Sequence, residues 1–140
     1  YYAIGFNFTT ASFSQTNKTP RPDITLLAET DAGGNITDVS FNGIPGFQYF
    51  PFSLYGSYGN GNDAIAAFTA LKEVNNAGLT WVETGKPLIE NQIWLFQTED
   101  EKYAKLRIIE VHTEKRDGVA WASCRFQWVF QPDGSLTFPY

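Results

Sequence analysis

The sequence predicts a mostly β fold, antiparallel sheets and hairpins with one short α-helix, in a single domain covering residues 1–140. Two observations carry this. Apolar residues recur at every second position in several runs separated by glycine- and proline-rich turns, the signature of strands with a buried face. Only one segment spaces its apolar residues as a helix does. At 140 residues with 43% apolar and 16% aromatic content, the chain is long enough for one ring-rich core.

Along the chain, Ile4, Phe6 and Phe8 alternate with Gly5 and Asn7 as in a half-buried strand. Thr9 to Asp23, rich in Ser, Thr and Asn and ending in Pro20-Arg-Pro22, reads as a loop. Ile24 to Thr30 and Ile36 to Asn42 read as a hairpin, with Val39 and Phe41 on one face. Between them Asp31-Ala-Gly-Gly-Asn35 supplies a turn; it lacks the regular ligand spacing of a calcium loop. The stretch from Gly46 to Asn62 mixes six aromatic rings with four glycines and a proline, and reads as a long loop. Such a loop either offers a ligand surface or packs its own rings.

The helix follows. Asn62 or Asp63 caps it, Ile65, Phe68, Leu71 and Val74 form its apolar face over about three turns, and Gly78 stops it. Leu79 to Thr84 is extended, Gly85-Lys-Pro87 turns, and Asn91 to Thr98 is a strand apolar on both faces. Across the acidic turn Glu99-Asp-Glu101 it pairs with Lys102 to Thr113. Glu114 to Gly118 forms the last hairpin turn. In the strand after it Ala122, Cys124, Phe126, Trp128 and Phe130 point inward, while Ser123, Arg125 and Gln127 point outward. Pro132-Asp-Gly134 turns into a short final strand with Leu136 and Phe138.

Charge excludes some partners. The net charge is −5 and the ten Lys and Arg are dispersed, with Lys115-Arg116 the only adjacent pair, so the chain lacks the basic footprint of a nucleic-acid binder. No apolar run is long enough for a membrane helix. The chain begins Tyr1-Tyr2, which reads as a mature fragment whose export signal or lipid-attachment tail lies outside it. The Asn-X-Thr triplets at Asn7, Asn17 and Asn35 would be glycan acceptors only in a eukaryotic secretory pathway.

No enzyme is expected. With one cysteine, Cys124, the chain holds no internal disulfide and no cysteine-based zinc site, and the thiol reads as a core residue. A hairpin turn centred near Lys115-Arg116 sets Cys124 opposite Ile108, four residues from the only histidine, His112. That is about 13 Å, beyond reach for a catalytic pair. No serine lies in a nucleophile elbow, Gly56, Gly59 and Gly61 match no phosphate loop, and the carboxylates cluster in turns. A lone imidazole is a poor metal site, but heme needs only one axial ligand where aromatic rings bury the porphyrin.

The C-terminal half carries a resemblance. Ile93-Trp-Leu-Phe-Gln-Thr98 with Lys102-Tyr-Ala-Lys-Leu-Arg-Ile108, and Phe126-Gln-Trp-Val-Phe-Gln-Pro-Asp-Gly-Ser135, resemble the closing segment of the HmuY-like family, surface lipoproteins of Gram-negative bacteria, some of which capture heme. Phe68-Thr-Ala-Leu-Lys-Glu-Val74 and Trp81-Val-Glu-Thr84 fit the same layout, so the likeness spans roughly Phe68 to Tyr140. It implies an all-β fold with a minor helix, export, an outer-membrane location with attachment only through a lipidated N-terminus outside this chain, and heme or another porphyrin as ligand. The family's heme binders use paired axial ligands, and with one histidine and no methionine no pair carries over. On this reading Phe47, Tyr49, Phe50, Phe52, Tyr55 and Tyr58 would wall the ligand, and His112 or a tyrosine oxygen would meet the iron. The alternatives are a glycan- or protein-binding surface module with exposed rings as its platform, and a structural family member without a ligand.

Overall fold

A computed structural model of the chain describes residues 4–43 and 50–140. Its elements in order are β1 (Ile4–Asn7), β2 (Ser12–Gln15), β3 (Ile24–Thr30), β4 (Ile36–Asn42), β5 (Phe52–Ser57), α1 (Gly61–Ala70), β6 (Thr84–Gly85), β7 (Gln92–Gln97), β8 (Tyr103–Arg116) and β9 (Val119–Gln131). They form two antiparallel sheets, β2-β1-β3-β4-β6 and β5-β7-β8-β9. The main core lies between the sheets, where Ile24, Val39 and Phe41 of the first meet Phe52, Trp94, Phe96, Leu106 and Ile108 of the second. Phe6 joins the layers, with Phe8, Phe13, Phe126 and Trp128 all at ring-centroid distances of 5.3–5.8 Å in edge-on contacts.

The second sheet has a further layer on its other face. There Ile93, Leu95, Tyr103 and Val129 lie under Phe68 of α1 and under Leu71, Val74 and Phe138 from the segments beyond it. This is why β7 is apolar on both faces, as its sequence predicts: every residue from Gln92 to Phe96 is buried. The one polar member is satisfied, since Gln92 Oε1 accepts from Trp94 Nε1 at 2.9 Å and from the Ile89 amide at 2.8 Å.

The hairpin β3–β4 has the predicted bounds. Asp31 Oδ1 accepts from the Gly33 and Asn35 amides, both at 2.9 Å, and Gly34 takes a positive φ of 79°. The bonds from Asn35 hold the Asp31 carboxyl below its ordinary range.

Other expectations are corrected. The polar stretch Thr9 to Asp23 contains β2, a strand held by backbone pairing to β1; its one large apolar residue, Phe13, is 75% exposed, so no periodicity announced it. The glycine-rich stretch contains β5. Its glycine is absorbed by a bulge between Leu54 and Gly56, and the Tyr58 ring fills the place of the missing side chain, its Oη 2.7 Å from where a Cβ on Gly56 would stand.

The helix is shorter and starts earlier than expected. Asn60 caps it, its Oδ1 accepting from the Asp63 amide at 2.8 Å, and Ala64 and Phe68 are its buried residues. Ile65 is 46% exposed. Leu71 and Val74 are buried but extended, because Val74 donates to the Leu136 carbonyl instead of continuing the helix. The final strand is reduced to a single bridge, Glu73 to Thr137, with Phe138 buried and Leu136 exposed. The last turn is only Asp117-Gly118, at φ of 50° and 78°, so both strands run further toward the tip than predicted.

One buried cation joins the layers. Lys105 on β8 has no solvent exposure, and its Nζ donates to the Phe68 carbonyl at 2.6 Å and the Leu71 carbonyl at 2.8 Å, the groups a helix C-terminus leaves unpaired. Its ammonium also lies 4.5 Å from the Phe68 ring centroid and 5.4 Å from that of Phe138. Burial, and secondarily Lys72, lower its pKa to about 8, so it is charged at neutral pH.

Lys105→Met strands two buried carbonyls, and it is expected to lower stability by about 1–3 kcal/mol in urea unfolding. A pH series gives a second check. Because the folded pKa lies below the unfolded lysine value of about 10.4, the unfolded chain binds the extra proton between pH 8 and that value, and the Lys105 contribution to stability rises through this window. The neutral amine still has hydrogens for both carbonyls. The stability gap between wild type and Lys105→Met should therefore widen by on the order of 1 kcal/mol or more from pH 7 to pH 10.

Candidate functional site

The residues singled out from the sequence fall on different surfaces. Phe47 and Tyr49 lie outside the described residues. Phe50 is exposed, its carbonyl accepting from Gln97 Nε2 at 2.8 Å. Phe52 is fully buried in the main core, stacked 6.2 Å from Phe41 and tilted 5.2 Å from Phe96. Tyr55 is exposed at the bulge of β5. Tyr58 is half-buried against the second core, where burial, and secondarily the nearby Tyr55, raise its hydroxyl pKa. Among the described residues these rings do not enclose a pocket together.

His112 stands apart from all of them. It lies on β8, beyond Tyr103–Arg107 where β7 pairs, and on the face opposite the main core. Beyond that stretch β8 and β9 continue as a two-stranded arm. Behind the arm, Val111 and Thr113 border an open cleft of about 460 Å³ against Ile36–Val39 and Leu88, so the arm is solvated on much of both faces.

The tight Asp117-Gly118 turn fixes which side chains share the outer face of the arm. It pairs His112 with Ser123, Glu114 with Trp121 and Arg116 with Val119. His112, Glu114, Arg116, Trp121, Ala122 and Ser123 line a shallow pocket of about 150 Å³. Trp121 is 47% exposed, and the Arg116 guanidinium lies 5.1 Å from its ring centroid. Glu114 accepts from Arg116 Nε at 2.6 Å, which orients that guanidinium. Toward the body of the domain the polar row continues with the Glu110–Arg125 ion pair and with Arg107 Nε donating to Gln127 at 3.0 Å.

The same register corrects the expected position of Cys124. It pairs with Val111, not Ile108, because the turn is two residues long and centred between Asp117 and Gly118 rather than near Lys115-Arg116; the bulge between Ile108 and Glu110 changes the register only beyond that pair. Cys124 is thus one position from the row of His112, and facing rather than distance separates them: the thiol points into the main core with Ala122 and Phe126. Burial raises its pKa to about 12.

The outer face of the arm offers one half-exposed indole flanked by an imidazole, a hydroxyl, a carboxylate and a guanidinium. No hydrogen bond links Ser123 to His112 among the described residues. None of these residues forms a group of three or more His, Cys, Asp or Glu placed to hold a metal ion. The surroundings of His112 fit a porphyrin poorly, since charged side chains flank it and the hollow is below the few hundred Å³ of a typical ligand pocket. Trp121, Arg116, Glu114 and Ser123 were not read as a site in the sequence. Placing the turn at the Asp-Gly dipeptide and counting outward by twos would have grouped them with His112.

No family model, curated protein or solved structure matches the chain. The fold is defined by its own geometry, a two-sheet β domain with a helix on the outer face of one sheet.

The thiol offers a direct check of the register. Cys124 is expected to react with an aromatic disulfide reagent at pH 8 about a hundredfold or more slowly in the native protein than in denaturant, read as thiolate release. Equal rates would place the side chain outside the core.

Proposed function

We propose that the chain is a non-enzymatic ligand-binding domain of an exported, cell-surface protein, and that it takes a saccharide on the outer face of the β8–β9 arm. The observation that carries this reading is the half-exposed Trp121 set in one row with His112, Ser123, Glu114 and Arg116. An indole face covers the apolar face of a sugar ring, and the flanking donors and acceptors meet its hydroxyls. Binding of this kind needs no deep cavity and works by stacking and hydrogen bonding on a rigid pair of strands.

The likeness of Lys102–Ile108 and Phe126–Ser135 to HmuY-like proteins supports export and a lipid anchor N-terminal to the domain. It also brings heme, with His112 as the iron contact. A sugar suits the arm better than a porphyrin, because the hollow beside His112 is shallow, about 150 Å³, and the rings of β5 that would wall a porphyrin lie elsewhere.

A glycan array followed by calorimetry with the best ligand tests the reading. Trp121→Ala should weaken binding at least tenfold, and His112→Ala severalfold, with little change in the unfolding midpoint because both side chains are solvent-exposed. Ferric heme should give no saturable, His112-dependent Soret shift. Glycan binding unchanged in Trp121→Ala would remove the arm from the site, and a His112-dependent heme spectrum would replace the sugar with a porphyrin.

A further inference from the structure

A different part of β9 carries a second surface. β9 is the outermost strand of its sheet, 13 residues long, and no strand among the described residues pairs with its outer edge. Soluble proteins blunt such edges with proline, lysine, bulges or short strands, because unpaired amides and carbonyls recruit another chain. From Ala120 to Gln131 β9 contains no proline, glycine or lysine, and Arg125 is its only charge. The one irregularity in its pairing falls between Ile108 and Glu110 of β8. Its inward residues Cys124, Phe126, Trp128 and Phe130 are only half-buried.

Along this side a cleft of about 100 Å³ opens between the sheets, lined by Ile4, Phe6, Phe13, Phe41, Cys124 and Phe126 among others. Its rim is apolar and exposed, with Phe13 at 75% and Ile4 at 62%. The opposite face of the edge carries two arginines against one carboxylate. Arg125 has 70% of its side chain exposed and is ion-paired with Glu110, and Arg107 donates to Gln127 with no carboxylate in ion-pair range among the described residues.

We propose that the free edge of β9 takes an extended peptide segment of another protein as an added strand, with one bulky apolar side chain seated in the cleft and an acidic side chain beside Arg125. The edge supplies backbone hydrogen bonds, and the cleft and the arginine select the sequence, the division of labour of strand-addition recognition. The volume suits one large side chain. Charge argues against a second copy of this chain, which would bring Arg107, Arg125 and the single Glu110 against the same set, so that like charge would meet across the edge.

The test is selection from a displayed random library of peptides of about twelve residues, long enough to span the edge. Enriched peptides should alternate apolar and polar residues around one bulky apolar and one acidic position. A synthetic hit should slow amide exchange in β9 and bind at least tenfold more weakly to Phe13→Lys and to Arg125→Glu. Both side chains are exposed, so the variants should stay folded, with Phe13→Lys losing one edge contact to Phe6 and Arg125→Glu one surface ion pair with Glu110, each a small loss in the unfolding midpoint. Failure to enrich any peptide, hits that bind both variants as well as wild type, or protection confined to other strands would overturn the proposal. Concentration-dependent dimerisation that protects β9 in the peptide-free protein would overturn it in favour of self-pairing. The saccharide surface lies on the arm, so failure of either reading leaves the other measurable.

Discussion

The three-layer arrangement depends on where α1 stops, and Lys105 marks that point. A helix of 10 residues has little stability of its own and leaves its last carbonyls without partners. Lys105 reaches through the second sheet's outer face to take two of them, so the helix ends against the sheet it covers. Burial opposes the charge, while the helix dipole, the two carbonyls and the faces of Phe68 and Phe138 favour it. The chain then turns extended, which frees Leu71 and Val74 to fill the second core and lets the C-terminal segment pair at Glu73. With both faces of β7 and the root of β8 buried, the arm projects from a fixed base.

The arm shows how much a turn of two residues decides. Side chains alternate faces along a strand, so a slip of one residue would turn the outer row inward. Asp117-Gly118 sets the register at the tip, and the bulge between Ile108 and Glu110 lets the arm differ by one residue from the root without turning its apolar row outward. Cys124 and Phe126 therefore stay with the core on either side of that step, and His112, Glu114 and Trp121 stay together in solvent.

Much of the fold was legible because burial is what sequence periodicity records. The β3–β4 hairpin, the doubly apolar β7 and the inward row of β9 are read from their side chains, and the structure has them where expected. What the sequence hid is held by backbone rather than by side-chain burial. β2 pairs with β1 while exposing its one phenylalanine, β5 carries a glycine in its interior, and Leu71 and Val74 keep helical spacing beyond the end of the helix. The candidate site was hidden for a related reason. Rings close together in sequence, from Phe50 to Tyr58, are distributed to a core, a bulge and a second core, whereas His112 and Trp121 meet only through a cross-strand register.

Ring type and exposure together distinguish the surfaces. Phenylalanine has no polar group to satisfy, and here it fills the cores at Phe8, Phe41, Phe52, Phe68, Phe96 and Phe138. Tyrosine and tryptophan carry a polar edge and sit comfortably half in water, as Tyr55 and Trp121 do. Exposure of Trp121 is therefore inexpensive by itself, and its meaning comes from the row of polar partners around it. Exposure of Phe13 has no such compensation. That residue packs edge-on against Phe6 at the rim of an apolar cleft, beside a long edge strand with none of the usual protections, so the cleft and that edge form one continuous surface.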